Sequence, residues 1–132
     1  MKAKKPKDSS EWRDTYYHKL FGLKAAKEAA RTLPLFEKEN PKDKRPRKAI
    51  EKLRSWAEDD KPLSMREVRK LSLDSHAAAR EAKSDAARYA ARAAGQAIAT
   101  WHIPTHALGA FSYAAKALCA QQKYSKPTAP KK

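Results

Sequence analysis

The segment GQAIATWHIPTHALGAFSYAAKAL, residues Gly95–Leu118, decides the fold class because it consists almost entirely of small and apolar residues. Alanine is abundant in the whole chain, with 26 copies in 132 residues, whereas valine and isoleucine together occur only four times. Alanine is the strongest helix former, and strands favour β-branched residues. The composition therefore predicts an all-α fold in which helix backbones approach closely and a few large side chains anchor the core.

Apolar residues recur at spacings of three and four, the period of an amphipathic helix, along most of the chain. We expect helices near residues 10–38, 46–58, 64–82, 84–101 and 105–121. In the first of them we expect a break at Gly22, and Pro34 should kink or tighten its last turns. Ser64 and Glu67 form the S-x-x-E pattern of a capping box. These features predict a compact bundle of four to six helices in one domain, residues 10–122, between basic disordered tails at 1–9 and 123–132.

The chain is strongly basic, with a formal net charge of +15 and no acidic residue after Asp85. Such a field attracts an acidic protein, nucleic acid or anionic lipid. Cys119 is the only cysteine, so no intramolecular disulfide can form, and a reducing cytoplasm is expected. We find no signal peptide after the basic N-terminus and no apolar run long enough to span a bilayer, so no membrane role is expected.

His102 and His106 lie four residues apart and therefore share one face of a helix. This spacing suits a metal site if His76 or Asp43 supplies a third ligand, but no carboxylate lies near the pair in sequence. Acid–base chemistry is a further alternative. The interpretation that we favour is a polar pocket that His102 and His106 line together with His76 and Arg80, with no cofactor.

The segment DKRPRKAIEKLRSW contains a second group of polar residues. Asp43 and Arg45 are expected to form a buried pair that fixes the loop, with Trp56 filling the space beneath them. The remaining cations form either a solvated helix face or a nucleic-acid patch. They are Lys44, Arg47, Lys48, Lys52 and Arg54.

A third pattern lies on the fourth predicted helix, where Arg88, Arg92 and Gln96 recur every four residues and are expected to face water. Catalytic machinery finds little support in the sequence. Paired carboxylates, a nucleophile elbow and a glycine-rich phosphate loop are all missing from the sequence, and Cys119 has no base beside it. We therefore do not expect an enzyme.

Three segments, LPLFEKENPKDKRPRKAIEKLRSWA, SHAAAREA and ARAAGQAIATWHIPTHALGAFSYAAKAL, together resemble a family of small helical immunity proteins from bacterial toxin–immunity systems. The similarity covers roughly residues 33–118. It implies an all-α domain that binds and neutralises a cognate toxin without catalysis. The polar positions that recur in the family match Asp43, Arg45, His76, Arg80, His102 and His106.

The partner implied by this resemblance is a toxin or another acidic protein. The alternative is a basic helical protein that binds nucleic acid through its patch or its basic tails. A homodimer is compatible with either function.

Overall fold

The computed structural model describes residues 13–125, with side chains described through Gln122. These residues form a bundle of five α-helices without a strand, so the predicted all-α fold is confirmed. The predicted tail at residues 1–9 and residues 126–132 of the second tail lie outside the described part of the chain. The helices are α1 Tyr16–Glu39, α2 Arg45–Asp59, α3 Met65–Glu81, α4 Asp85–Ala99 and α5 His106–Ser125.

Helix α1 is continuous, so the break predicted at Gly22 is wrong. Gly22 is buried, and a Cβ atom added there would lie 2.9 Å from Cζ3 of Trp56. The glycine therefore serves the close approach of α1 to α2 rather than a turn. Pro34 lies within the same helix, with its ring at an exposed position.

Helix α4 lies at the centre of the bundle, in contact with each of the other four helices. Its small side chains occupy little space at each helix–helix contact, so the neighbouring backbones approach closely. Helices α3 and α5 both pack on α4 without packing on each other in the described structure. The buried residues of α4 are Ala87, Ala90, Ala91, Ala93, Ala94, Gly95, Ala97 and Ile98.

Local hydrogen bonds fix the ends of the central helices. Ser64 and Glu67 form the predicted capping box at the start of α3, with the Glu67 N–H donating to Ser64 Oγ at 3.1 Å. Ser84 caps α4 by accepting from the N–H of Ala87 at 3.1 Å. None of the helices formed by the described residues has both the length and the apolar character that crossing a membrane requires.

Enlarging a buried alanine of α4 should be costly because its neighbours have no space to yield. We expect Ala94→Leu to lower the free energy of unfolding by about 1–3 kcal/mol or more. Ala86→Leu is the matched control, since Ala86 lies on the same helix but is only half-buried. Urea denaturation compares the two variants, and equal transition midpoints would contradict the close packing of α4.

Candidate functional site

The space between α3 and α5 is filled by polar side chains that lie on the outer surface of α4. Arg92 and Gln96 of α4 are half-buried there, and each contacts a histidine from a flanking helix. We call His76, Arg92, Gln96 and His106 the histidine cluster. The prediction that Arg92 and Gln96 face water is therefore wrong, because α3 and α5 stand on either side of them.

His76 lies flat against the backbone of α4. A Cβ atom added at Gly95 would lie 2.6 Å from Nε2 of His76, so only glycine leaves room for the ring. Arg92 Nη1 donates to His76 Nδ1 at 2.9 Å, and since a guanidinium has no acceptor, the proton of the neutral imidazole is on Nε2. A second hydrogen bond joins α3 to α4, since the Ser72 hydroxyl donates to the carbonyl of Gly95 at 3.0 Å.

His106 repeats this arrangement on the other side of α4. Its Nδ1 donates to Gln96 Oε1 at 2.8 Å. The Gln96 side chain lies against Gly109 of α5, where an added Cβ would be 2.6 Å from Oε1. Each flank of α4 thus combines one glycine with one histidine, and the two histidines join α3 and α5 to the same helix.

His102 and Arg80 lie outside the histidine cluster. His102 is half-buried beside a cavity of about 150 Å³ on the α3 side, and its Nδ1 atom is buried without a hydrogen-bond partner among the described residues. Arg80 is exposed near the end of α3. The predicted pocket of four residues is therefore divided: His76 and His106 belong to the histidine cluster, whereas His102 and Arg80 lie outside it.

The surroundings of the histidine cluster favour neutral imidazoles. Burial lowers the pKa of His76 to about 4, and the positive charges of Arg92 and Arg80 act in the same direction. Burial also lowers the pKa of His106, assisted by His102. Across the described residues, no three His, Cys, Asp or Glu side chains are grouped so that they could hold a metal ion.

Asp43 and Arg45 form a pair at the start of α2. Nε and Nη2 of Arg45 donate to the Asp43 carboxylate at 3.0 and 2.7 Å, and Arg45 Nη2 also donates to Glu81 Oε1 at 2.7 Å. The hydrogen bonds from Arg45 lower the pKa of Asp43. The pair therefore clamps the α1–α2 loop to the end of α3, but both side chains are partly exposed, so the predicted burial of the pair is wrong.

Trp56 does not lie beneath this clamp. It is near the other end of α2, where its Nε1 donates to Asp14 at 2.9 Å. The eleven residues from Arg45 to Trp56 correspond to about 16 Å along a helix. The predicted role of Trp56 under the Asp43–Arg45 pair is wrong for this reason.

Much of the predicted basic surface of α2 is neutralised by carboxylates. Arg47 donates to both oxygens of Glu37 at 2.8 and 2.6 Å. Arg54 pairs with Glu58 at 3.5 Å, and Lys52 lies 3.9 Å from Glu67. Lys44 and Lys48 are exposed and form no ion pair with another described residue.

Part of this surface borders an open groove between α2 and α3. The groove has a volume of about 580 Å³ and combines basic side chains with an apolar floor. We call it the α2–α3 groove. Its lining residues are Lys48, Glu51, Lys52, Ser55, Lys61, Pro62, Leu63 and Leu71.

A further buried histidine, His18, was not singled out by the sequence. Its Nδ1 accepts from the N–H of Asp14 and its Nε2 donates to the carbonyl of Thr100, both at 3.0 Å. The ring packs edge-on against Trp56 at 4.6 Å. Helical spacing indicates that His18 is buried, because His18, Gly22 and Ala25 lie on the same buried face of α1. Its role is to join the start of α1 to the end of α4.

The contact between Gly95 and His76 can be tested by a double-mutant cycle. Gly95→Ala alone should destabilise the protein, because the new Cβ displaces the imidazole. In a His76→Ala background the same change should stabilise it by up to about 1 kcal/mol, the helix propensity that alanine gains over glycine. Urea denaturation measures all four proteins, and a Gly95→Ala effect of the same sign in both backgrounds would refute the contact.

Acid should destabilise the fold through its histidines. The pKa of His76 is about 4 in the folded protein, whereas an unfolded imidazole titrates near about 6.5, so the unfolded chain binds more protons between these values. The free energy of unfolding should therefore fall as the pH decreases through this window. His18 and His106, whose pKa values are also lowered, add to the effect.

Denaturation at several pH values provides the measurement. His76→Gln should flatten the dependence between about pH 6.5 and 5, since the variant lacks one of the titrating groups. Curves for wild type and variant that run parallel would show that His76 is not held neutral by its surroundings.

Comparison with protein families identifies the chain. The model of the family described as "Imm-5 like putative immunity protein" matches residues 16–131, a range that contains all five helices. The searches of curated proteins and of solved structures found no match. The resemblance seen in the sequence is thereby confirmed. The chain belongs to the Imm-5 like immunity protein family.

Proposed function

We propose that this protein is a non-catalytic immunity protein that binds a cognate bacterial toxin in the cytoplasm and neutralises it by covering a functional surface. The observation that carries this proposal is the family match, which spans residues 16–131 and thus nearly the whole described bundle. The closely packed core supports it, because a rigid scaffold can present a surface with little ordering cost on binding.

The α2–α3 groove is the toxin-binding surface that we favour. Lys48 and Lys61 are exposed at its edge, and Leu63 and Leu71 form part of its floor. Such a surface suits an acidic segment that carries an apolar side chain, since the lysines attract the charge and the floor accepts the side chain. The net charge of +15 would also accelerate encounter with an acidic toxin at low salt.

The six polar residues implied by the family resemblance divide into two roles in this proposal. Asp43, Arg45, His76 and His106 hold loops and helices in place through their hydrogen bonds. Arg80 is exposed and His102 is half-buried beside a cavity. These two residues are available for recognition.

Nucleic-acid binding is the alternative function. Three of the five cations predicted for it, Arg47, Arg54 and Lys52, lie beside carboxylates, which reduces their attraction for phosphate. Lys44 and Lys48 are left without such partners in the described structure. Residues 1–9 and 126–132, which belong to the two predicted basic tails, can be removed, and nucleic-acid binding that disappears with them would be a property of the tails alone.

A toxin gene, if one lies beside this gene, would allow a direct test. The purified pair should associate at low salt, and the affinity should fall steeply as salt rises, because charges on the two surfaces are screened. Co-expression with the immunity protein should restore growth of cells that produce the toxin. No association at low salt, with growth still inhibited, would refute the proposed function.

Charge reversal in the groove tests the binding surface. Lys48→Glu/Lys61→Glu should weaken toxin binding at least ~10-fold, equivalent to ~1.4 kcal/mol. Lys24→Glu/Lys27→Glu is the matched control, because it makes the same change of net charge at exposed positions on α1. Calorimetry gives both affinities, and an equal loss in the two variants would exclude the groove as the contact surface.

A further inference from the structure

Helix α5 differs from the rest of the chain in having almost no charge. Charged residues make up 34% of the sequence, yet the 20 residues of α5 include only two, Lys116 and Lys123. A surface helix normally has charged residues opposite its buried face. Among the α5 residues through Gln122 that are exposed to water, only Lys116 is charged.

The exposed face follows from helical spacing. Leu108, Ser112, Ala115 and Cys119 lie at intervals of four, three and four residues, so they lie on one side of the helix, and all four are exposed. The opposite side is buried and is formed by alanines, including Ala110, Ala114 and Ala117. We call the four exposed residues Leu108, Ser112, Ala115 and Cys119 the α5 outer face.

Lys116 does not interrupt this face. Its ammonium group lies over the rings of Tyr113 and Tyr89, at 5.2 and 5.9 Å from their centres. These rings belong to α5 and α4, so the lysine is directed toward the α4 side of the helix. The α5 outer face is consequently uncharged, and Ser112 is its one hydroxyl-bearing residue.

Aromatic residues of α1 and α5 extend the apolar surface on the side of α5 that lies toward α1. Phe21, Leu108 and Phe111 line a shallow cavity of about 200 Å³ together with Pro104. Leu108 is 66% exposed, Phe21 is 47% exposed, and Tyr17 is 70% exposed one turn before Phe21. An exposed apolar area of this kind, made by two helices, is typical of an interaction surface.

We propose that the α5 outer face, with Phe21 and Phe111, is a self-association surface through which two copies of this chain form a dimer. Charge decides between the possible occupants. An acidic protein or nucleic acid gains affinity where lysine and arginine are dense, whereas this face offers neither. A second copy also carries +15, so repulsion between two copies is smallest where both contacting surfaces are free of charge.

The composition and length of the surface are consistent with a dimer. Homodimer interfaces are more apolar than transient ones and are depleted of charge at their centre. Ser112 and Ala115 are small, so two α5 helices could approach closely at this point. Helix α5 has 20 residues and is about 30 Å long. This length is close to the width of a square patch of about 800 Å², the area that each partner contributes to a standard interface.

Leucine-to-glutamate substitutions at two exposed positions provide the experiment. Sedimentation velocity of the full chain over a concentration series should show a monomer–dimer equilibrium for wild type. Leu108→Glu should weaken dimerisation at least 10-fold, because it places a charge in the apolar surface. Leu73→Glu is the matched control on α3, where the leucine is 61% exposed, and it should leave the equilibrium unchanged. Circular dichroism and the Tm establish that both variants remain folded.

The dependence of dimer stability on salt is an independent test, because salt should affect dimerisation and toxin binding in opposite directions. Raising the salt concentration screens repulsion between two basic chains, so the dimer should become more stable, whereas a complex with an acidic partner should weaken. A wild type that stays monomeric at high protein and high salt concentration would overturn the proposal. Equal loss of dimer in Leu108→Glu and Leu73→Glu would do the same.

The dimer does not depend on the proposed immunity function, and the two can fail separately. If the dimer forms and no toxin binds, only the function is refuted. If Leu108→Glu abolishes toxin binding and wild type does not dimerise, the α5 outer face belongs to the toxin and the dimer proposal is wrong.

Discussion

The whole bundle depends on how closely four helices approach α4. This helix can occupy the centre because its buried residues, apart from Gly95 and Ile98, are alanines. Small side chains bring backbones together but remove little apolar area from water for each residue. The larger anchors, such as Trp56, Phe36 and Leu53, must therefore supply a large share of the hydrophobic stabilisation. Polar clamps at the helix ends complete the fold where the core has no large side chains to contribute.

Alanine surfaces have a second consequence, which explains the position of the histidines. Two smooth helix faces can slide along each other with little change in packing, so they fix the register only weakly. The His76 ring occupies the space left by Gly95, and Gln96 occupies the space left by Gly109. A shift of one turn would place each side chain against a Cβ atom and break its hydrogen bond. The histidine cluster thus fixes α3 and α5 on α4, and the partial burial that this contact imposes lowers the pKa of both imidazoles.

Local patterns were predicted well from the sequence, and contacts between distant segments were not. The capping box of Ser64 and Glu67 depends on residues three apart, and the Asp43–Arg45 pair on residues two apart. Both are visible in the sequence. The bond from Arg45 to Glu81 joins residues 36 apart, and no local pattern indicates it.

The exposure of Arg92 and Gln96 was mispredicted for a related reason. Helical period shows which residues lie opposite the apolar side of α4, but it does not show that α3 and α5 enclose that stripe from both sides. The continuity of α1 through Gly22 was missed because glycine was interpreted as a break, whereas the neighbouring helix requires its small size. His18 gave a signal only through its spacing from other buried residues.

The distribution of charge separates two surfaces with different physical uses. Ion pairs and exposed lysines are concentrated on α2 and α3, while the outer face of α5 has neither. Helices α2 and α5 each pack on α1 and α4 but not on one another within the described structure, so the two surfaces belong to different parts of the bundle. A dimer formed through α5 would therefore leave both α2–α3 grooves open. Self-association and capture of an acidic partner could then occur together, because they use different surfaces. Higher salt strengthens association through the α5 outer face and weakens binding of an acidic partner in the α2–α3 groove.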